Sequence, residues 1–408
     1  MEFFKVSSVE DARKLVLDEF SGYALQSEEL ELEKTTGRTL SEDVVSEEDV
    51  PGFDRSTVDG YAILAEDSHG ATDSIPSLLI IKGEVRMGEE AELHIKSGEA
   101  VYVPTGGMIP KGATAMVMIE NTEKMDDNTL LIYKPVSVGE NILFKGEDVR
   151  IGQTVLRKGY KLTPQGIGVL ASLGISKVNV YKKPRVHIIS TGDEVIDIGE
   201  KLDLGKIRDI NSYSIGSLVE SLGGEISGRV IIGDDYEQLL KGVLEGLEKC
   251  DLLILSGGSS VGTRDYTHQV IEALGGKGVL IHGLAIKPGK PTIVGDGKGK
   301  LVVGLPGHPV SSIVVFKAIV EPFIRSLMNR EDILPQVRAL VTQNFPSSPG
   351  KETYHMVRLD KENGEYLATP SFGKSGMITL LSGSQGYIVI REHEEGINRG
   401  ELRDVFLI

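Results

Sequence analysis

The sequence predicts a multidomain α/β-plus-β protein. A central domain of βαβ units on a parallel sheet is preceded by a β-rich module and followed by a small β-domain. Three observations carry this. Across residues 183–328, apolar strand-like runs alternate with helical patterns of about 10 to 15 residues, as βαβ units do. Residues 51–138 show alternating apolar runs punctuated by glycines such as Gly83, Gly88 and Gly98. After Met328 the helical pattern stops, and residues 337–408 show short alternating runs with turns.

In chain order, Val9, Ala12, Leu15 and Val16 have helical spacing, with Ser7 or Ser8 as N-cap. Residues 28–46 are acidic and mixed, which suits short strands and turns. The loop P-G-F-D-R-S-T-V-D-G-Y-A-I, residues 51–63, follows. Residues 101–120 read as strand, Gly/Pro turn and strand, and residues 144–156 as a charged loop leading into a strand. Thr163 as cap and Pro164 at the first helical position start a helix that ends near Gly174. The central domain then gives strands at 185–190, 228–232, 251–255, 279–281, 291–294 and 301–305. Helices are expected at 211–222, 236–249, 267–274 and 309–328, the last bent at Pro322.

The chain has 408 residues, enough for several domains. A formal net charge of −16 argues against a general nucleic-acid binder, which needs a basic face for phosphates. One cysteine, Cys250, excludes an intrachain disulfide and a Cys-based zinc site and reads as a small core residue. No secretory leader and no run of about 18 apolar residues is seen, so a cytoplasmic protein that neither spans nor enters a membrane is expected.

The chemistry gathers at strand ends. The stretch D-L-L-I-L-S-G-G-S-S-V-G-T-R-D-Y-T, residues 251–267, is a strand apolar at consecutive positions, then a glycine-rich turn with Ser256, Gly257, Gly258, Ser259, Val261, Gly262 and Asp265, then a helix start. Glycines admit a ligand close to the backbone, and a helix start favours an anion. T-G-D-E at 191–194 follows a strand directly: its carboxylates either hold Mg²⁺ near phosphates or, through Asp193, cap a helix. Asn211 or Ser212, in I-R-D-I-N-S-Y, is read as capping the next helix. Lys287 and Lys290 flank a Pro-Gly turn and can meet anions as point charges. Around them Gly283 to Thr292 fails as a P-loop, because Pro291 stands where Ser or Thr should be. L-P-G-H-P-V-S-S, with Pro306 and Gly307, launches a helix whose free N–H groups make an anion site. His308 reads as a loop residue rather than a metal ligand. A turn at 51–63 does not need Asp54, Arg55, Ser56 and Asp59 together, so that loop reads as a binding element.

Taken in order, F-D-R-S-T-V-D-G-Y-A, V-P-T-G-G, G-E-D-V, S-T-G-D-E-V, I-R-D-I-N-S-Y, S-G-G-S-S-V-G-T-R-D-Y, I-K-P-G-K-P and G-L-P-G-H-P-V-S resemble the molybdopterin molybdenumtransferase family, the MoeA proteins and the gephyrin E-domain, along essentially the whole chain. The resemblance implies an L-shaped homodimer. Each subunit would have a discontinuous linker domain (1–50 and 139–182), an inserted glycine-rich β module (51–138), an α/β molybdopterin-binding domain (183–331) and a C-terminal small β-barrel (332–408). It implies insertion of molybdate, or tungstate, into adenylylated molybdopterin with Mg²⁺, releasing AMP and molybdenum cofactor. The molybdopterin adenylyltransferase would be a partner. Carried over, Asp59, Thr105, Asp148, Glu194 and Asp265 become catalytic residues, with Glu194 and Asp265 also on the metal. Ser256, Gly257, Gly258, Ser259, Val261, Gly262, Lys287, Lys290, Pro306 and Gly307 become substrate-binding, joined by Arg358 and Ser375 near the molybdate. The D-G-Y-A loop of one subunit would face the α/β domain of the other. Two positions depart: Val58 replaces the usual methionine and His308 the commoner asparagine. The rival readings are the adenylyltransferase itself and a non-catalytic scaffold of the gephyrin kind.

Overall fold

A computed structural model describes residues 6–257, 266–331 and 334–408. Its centre is a six-stranded sheet with β1 (Arg185–Thr191), β2 (Glu225–Ile232), β3 (Leu252–Ser256), β4 (Gly278–His282), β5 (Ile293–Gly297) and β6 (Lys300–Leu305) in the order β2-β1-β3-β6-β5-β4. The first four in that order are parallel. β5 and β4 run antiparallel to their neighbours, because the Lys298–Gly299 turn, both residues at positive φ, makes β5 and β6 a tight hairpin. Every residue of β3 is buried, as its unbroken apolar run requires.

Helices α1 (Asn211–Ser221), α2 (Tyr236–Leu247) and α3 (Thr267–Ala273) cover the sheet. The long helix expected at 309–328 is α4 (Pro309–Val315), a π-helical segment (Phe316–Val320) and α5 (Glu321–Leu327). The irregularity therefore comes one turn before Pro322. Pro322 has no N–H to offer the Ala318 carbonyl, and the Arg13 Nε donates to that oxygen instead at 3.1 Å. Arg13 lies on the helix Val9–Glu19, capped by Ser8. That helix buries Val9, Ala12 and Val16 in the same core as Val186, Leu252 and Phe316. The first helix thus packs with the central domain, although residues 1–50 were grouped with 139–182 above.

The linker unit is tied by antiparallel pairing of Ser27–Glu31 with Lys177–Tyr181 and of Val44–Val45 with Thr154–Leu156. The intervening chain forms a six-stranded mixed sheet with a separate apolar cluster on each face. After α5 the chain builds a closed five-stranded barrel from β7 (Gln336–Val341), β8 (Glu352–Glu362), β9 (Glu365–Pro370), β10 (Gly386–Ile390) and β11 (Leu402–Leu407), in ring order β8-β9-β7-β11-β10. Cys250 is fully buried, and burial pushes its thiol up to about 11, so it packs as an inert core side chain.

Candidate functional site

Two groups of polar side chains stand out. The first lies at the carboxyl ends of β1, β3 and β6, where ligands of open α/β sheets bind. The Asn211 Nδ2 donates to Ser256 Oγ at 2.8 Å and to the Gly307 carbonyl at 2.9 Å, joining the ends of β3 and β6. Asn211 does not cap α1 as expected. Asp209 does: its Oδ1 accepts the Ser212 N–H at 3.1 Å and its Oδ2 the Ser190 hydroxyl at 2.7 Å. Gly257 sits at φ +108° against the Thr191 carbonyl, where a side chain would collide. Thr191, Asn211 and Ser212 are buried, yet among the described residues Thr191 Oγ1, Asn211 Oδ1 and Ser212 Oγ take no hydrogen-bond partner. Buried polar atoms are normally satisfied, and leaving one unmade costs about 1–3 kcal/mol. The three belong to the carboxyl end of β1 and the first turn of α1.

Glu194 is exposed beside this group and its carboxylate folds over Gly192. Asp193 caps no helix; its Oδ1 accepts the Asp234 N–H at 3.0 Å. Pro306 is buried and Gly307 exposed at the head of α4. The helix-start capacity is partly used: Pro309 has no N–H, and that of Val310 is donated to the Ser375 carbonyl at 3.2 Å. Ser375 Oγ also lies 2.8 Å from His308 Nδ1, so the departure at His308 serves to dock the barrel onto this loop. Gly258, Ser259, Val261, Gly262 and Asp265 lie outside the described residues.

The second group is in the N-terminal module. The Asp59 Oδ1 accepts the Thr105 N–H at 2.9 Å. Backbone bonds from Ser56 to Gly106 and Gly107 lay the D-R-S-T-V-D-G-Y-A loop against the P-T-G-G turn. The Asp54 Oδ1 accepts the Lys145 N–H at 2.8 Å, and the Gly146 and Asp148 N–H groups bond to Pro51 and Val50. Three distant motifs therefore form one exposed face carrying Asp59, Thr105 and Asp148. Among the described residues no hydrogen bond or ion pair joins the two groups.

The remaining candidates stand apart. The Lys287 Nζ donates to Ser348 Oγ at 2.8 Å, and Lys290 is exposed on the next turn. Arg358 is exposed on β8 and bonds Asp360 at 3.0 Å; no bond among the described residues links it to Ser375. Among these residues no group of three or more His, Cys, Asp or Glu side chains is placed to hold a metal. No described helix is long and apolar enough to cross a membrane. Sequence reasoning missed Thr191 and the bridging role of Asn211. The signal was the polar pair D-x-N at the head of α1, which capping alone needs only once.

Comparisons with known proteins agree with this layout. Residues 7–174 match the MoeA N-terminal region (domain I and II), 187–326 a probable molybdopterin binding domain, and 338–408 the MoeA C-terminal region (domain IV). The chain is 36% identical to a putative molybdopterin biosynthesis protein of Methanocaldococcus jannaschii over 98% of each chain. It is 33% identical to the molybdopterin molybdenumtransferase of Staphylococcus aureus, over 92% of this chain and 90% of that one. A crystal structure of a MoeA protein from Pyrococcus horikoshii superposes with a TM-score of 0.85 at 35% identity, covering 99% of this chain and 100% of that one. With all three regions matched in order and relatives this similar along nearly the whole length, the chain belongs to the MoeA family.

Proposed function

We propose that the protein is a molybdopterin molybdenumtransferase that inserts molybdate into the dithiolene of adenylylated molybdopterin and releases AMP and molybdenum cofactor. The observation that carries this is the set of buried atoms of Thr191, Asn211 and Ser212 at the sheet edge that have no partner among the described residues. A pterin nucleotide offers both N–H donors and anionic acceptors to such a set. Ser256, Gly257 and Gly307 bring backbone close to its phosphates, and the Asn211 bridge holds those turns in register.

Mg²⁺ fits the oxygen donors present. Mg²⁺ is commonly held by about one or two carboxylates together with substrate phosphates, and the exposed Glu194 carboxylate is available to it, with Asp265 as second ligand. When bound, it supplies Lewis-acid polarisation of the phosphoanhydride. Lys287, Lys290, Arg358 and Ser375 are proposed to steer and hold the oxyanion, and Asp59, fixed by the Thr105 N–H, to position substrate or water. Among the described residues the Asp59 face and the strand-edge group are not joined, and a homodimer that brings them together across subunits is proposed to complete the site. A cytoplasmic location and transfer from the adenylyltransferase go with this role. Relatives named as molybdenumtransferases that span N-terminal, central and C-terminal regions favour it over the adenylyltransferase or scaffold readings.

The test is AMP release from adenylylated molybdopterin by purified protein with Mg²⁺. Release that depends on molybdate is expected. Release without molybdate, or ATP consumption, would show a different activity.

A further inference from the structure

The contact between His308 and Ser375 crosses 67 residues of chain and joins the loop before α4 to the C-terminal domain. Ser375 is held there twice. Its carbonyl accepts the Val310 N–H at 3.2 Å, and its Oγ lies 2.8 Å from His308 Nδ1. His308 in turn follows a residue fixed at the sheet edge. The Gly307 carbonyl accepts the Asn211 Nδ2, which also donates to Ser256 at the end of β3. A Cβ at Gly307 would stand 3.7 Å from the Gly257 Cα, so this loop touches the glycine-rich turn. The Ser375 hydroxyl is thereby tied to the strand-edge group. Arg358 is not: among the described residues it bonds only Asp360.

The direction of the His308–Ser375 bond decides what the hydroxyl can do. A serine hydroxyl has one proton and two lone pairs. If Ser375 donates to Nδ1, its Oγ shows the site only lone pairs, which offer an oxyanion nothing. If Nδ1–H donates to Oγ, the hydroxyl proton is released for another acceptor, and none takes it among the described residues. The second arrangement leaves Nε2 without a proton. His308 is exposed, so water can satisfy that nitrogen. An oxyanion selects this arrangement, because the chain Nδ1–H to Oγ–H to oxyanion ends on a charge and each bond polarises the next.

We propose that His308 is a positioning residue for the oxyanion substrate: by donating Nδ1–H to Ser375, it turns the Ser375 proton toward molybdate. This rests on the reaction proposed above, in which Ser375 holds the oxyanion. It also gives the departure at His308 a physical sense. An asparagine N–H can donate to the same hydroxyl, so either residue performs the task. A residue that only docked the C-terminal domain could donate or accept alike.

The test titrates full-length protein with molybdate by calorimetry and needs no turnover. Wild type should bind molybdate. His308→Ala and Ser375→Ala should each weaken binding about tenfold. The double variant should lose no more than either single one, because both remove the same donor. His308→Asn, which keeps an N–H, should recover most of the affinity. With molybdate bound, the nitrogen-15 spectrum of the His308 ring should show a proton on Nδ1. No molybdate binding, additive losses, His308→Asn as weak as His308→Ala, or a bare Nδ1 would each overturn the proposal. AMP release that ignores molybdate would instead sink the proposed reaction and leave these binding results standing.

Discussion

The Asp59 face and the strand-edge group solve different problems. Around Asp59, backbone bonds between three loops fix an exposed carboxylate, which already has its partner in Thr105. At the sheet edge, three buried polar atoms have none among the described residues. A self-satisfied carboxylate on a rigid loop is placed to present charge to something that arrives. A set of unsatisfied buried atoms is placed to receive a ligand. The binding energy should therefore reside in the α/β domain and the loss of rate in either.

The largest expected effect follows from Asn211→Ala. It unties β3 from β6 and removes an unpartnered acceptor, so both the affinity for adenylylated molybdopterin and turnover should fall, turnover by about 100-fold or more. The protection that saturating AMP gives against thermal unfolding, about 2.7 kcal/mol at a hundredfold excess over Kd, should vanish with it. Retained AMP protection in this variant would break the division of labour. Next, Asp59→Asn keeps an acceptor for the Thr105 N–H but loses the charge. Turnover should drop about 10- to 100-fold with ligand affinity and Tm unchanged; a matching rise in Kd would place binding on that face too. Gly60→Ala tests how rigid the face is. A Cβ there collides with the Val117 carbonyl on the adjoining strand, so unfolding free energy should fall by about 3 kcal/mol in denaturant titration.

A smaller effect concerns pH. His187, His282 and His355 all have pKa values below the usual 6.5, burial being the main cause. The unfolded chain then takes up protons that the folded chain refuses, so their contribution is present above pH 6.5 and is lost as pH falls below it. All three lie in β1, β4 and β8, outside the Asp59 module. Tm should decline between pH 7 and 5; a flat profile would contradict this.

The fold was legible because its signals were local and strong. The apolar run of β3, the Thr163–Pro164 start and the Ser8 cap each satisfy a backbone requirement that adjacent residues reveal. The site was legible in its motifs but not in its connections. Asn211 looked like a cap, since a side chain bridging to Ser256 and Gly307 spans 45 and 96 residues of chain. The reversed direction of β5 escaped notice because a two-residue hairpin and a βαβ unit have similar apolar runs. The bend of the long helix was expected at Pro322, whereas the irregularity is a π-helical segment one turn earlier, and the compensating Arg13 bond crosses 305 residues.

The most direct test mixes subunits. Asp59→Ala and Asn211→Ala proteins, each inactive alone, are unfolded, combined in equal amounts and refolded together. If one subunit's Asp59 face completes the other's strand-edge group, half the molecules are mixed dimers with one intact site, restoring about a quarter of wild-type molybdate-dependent AMP release. A mixture no more active than its parents would contradict a shared site.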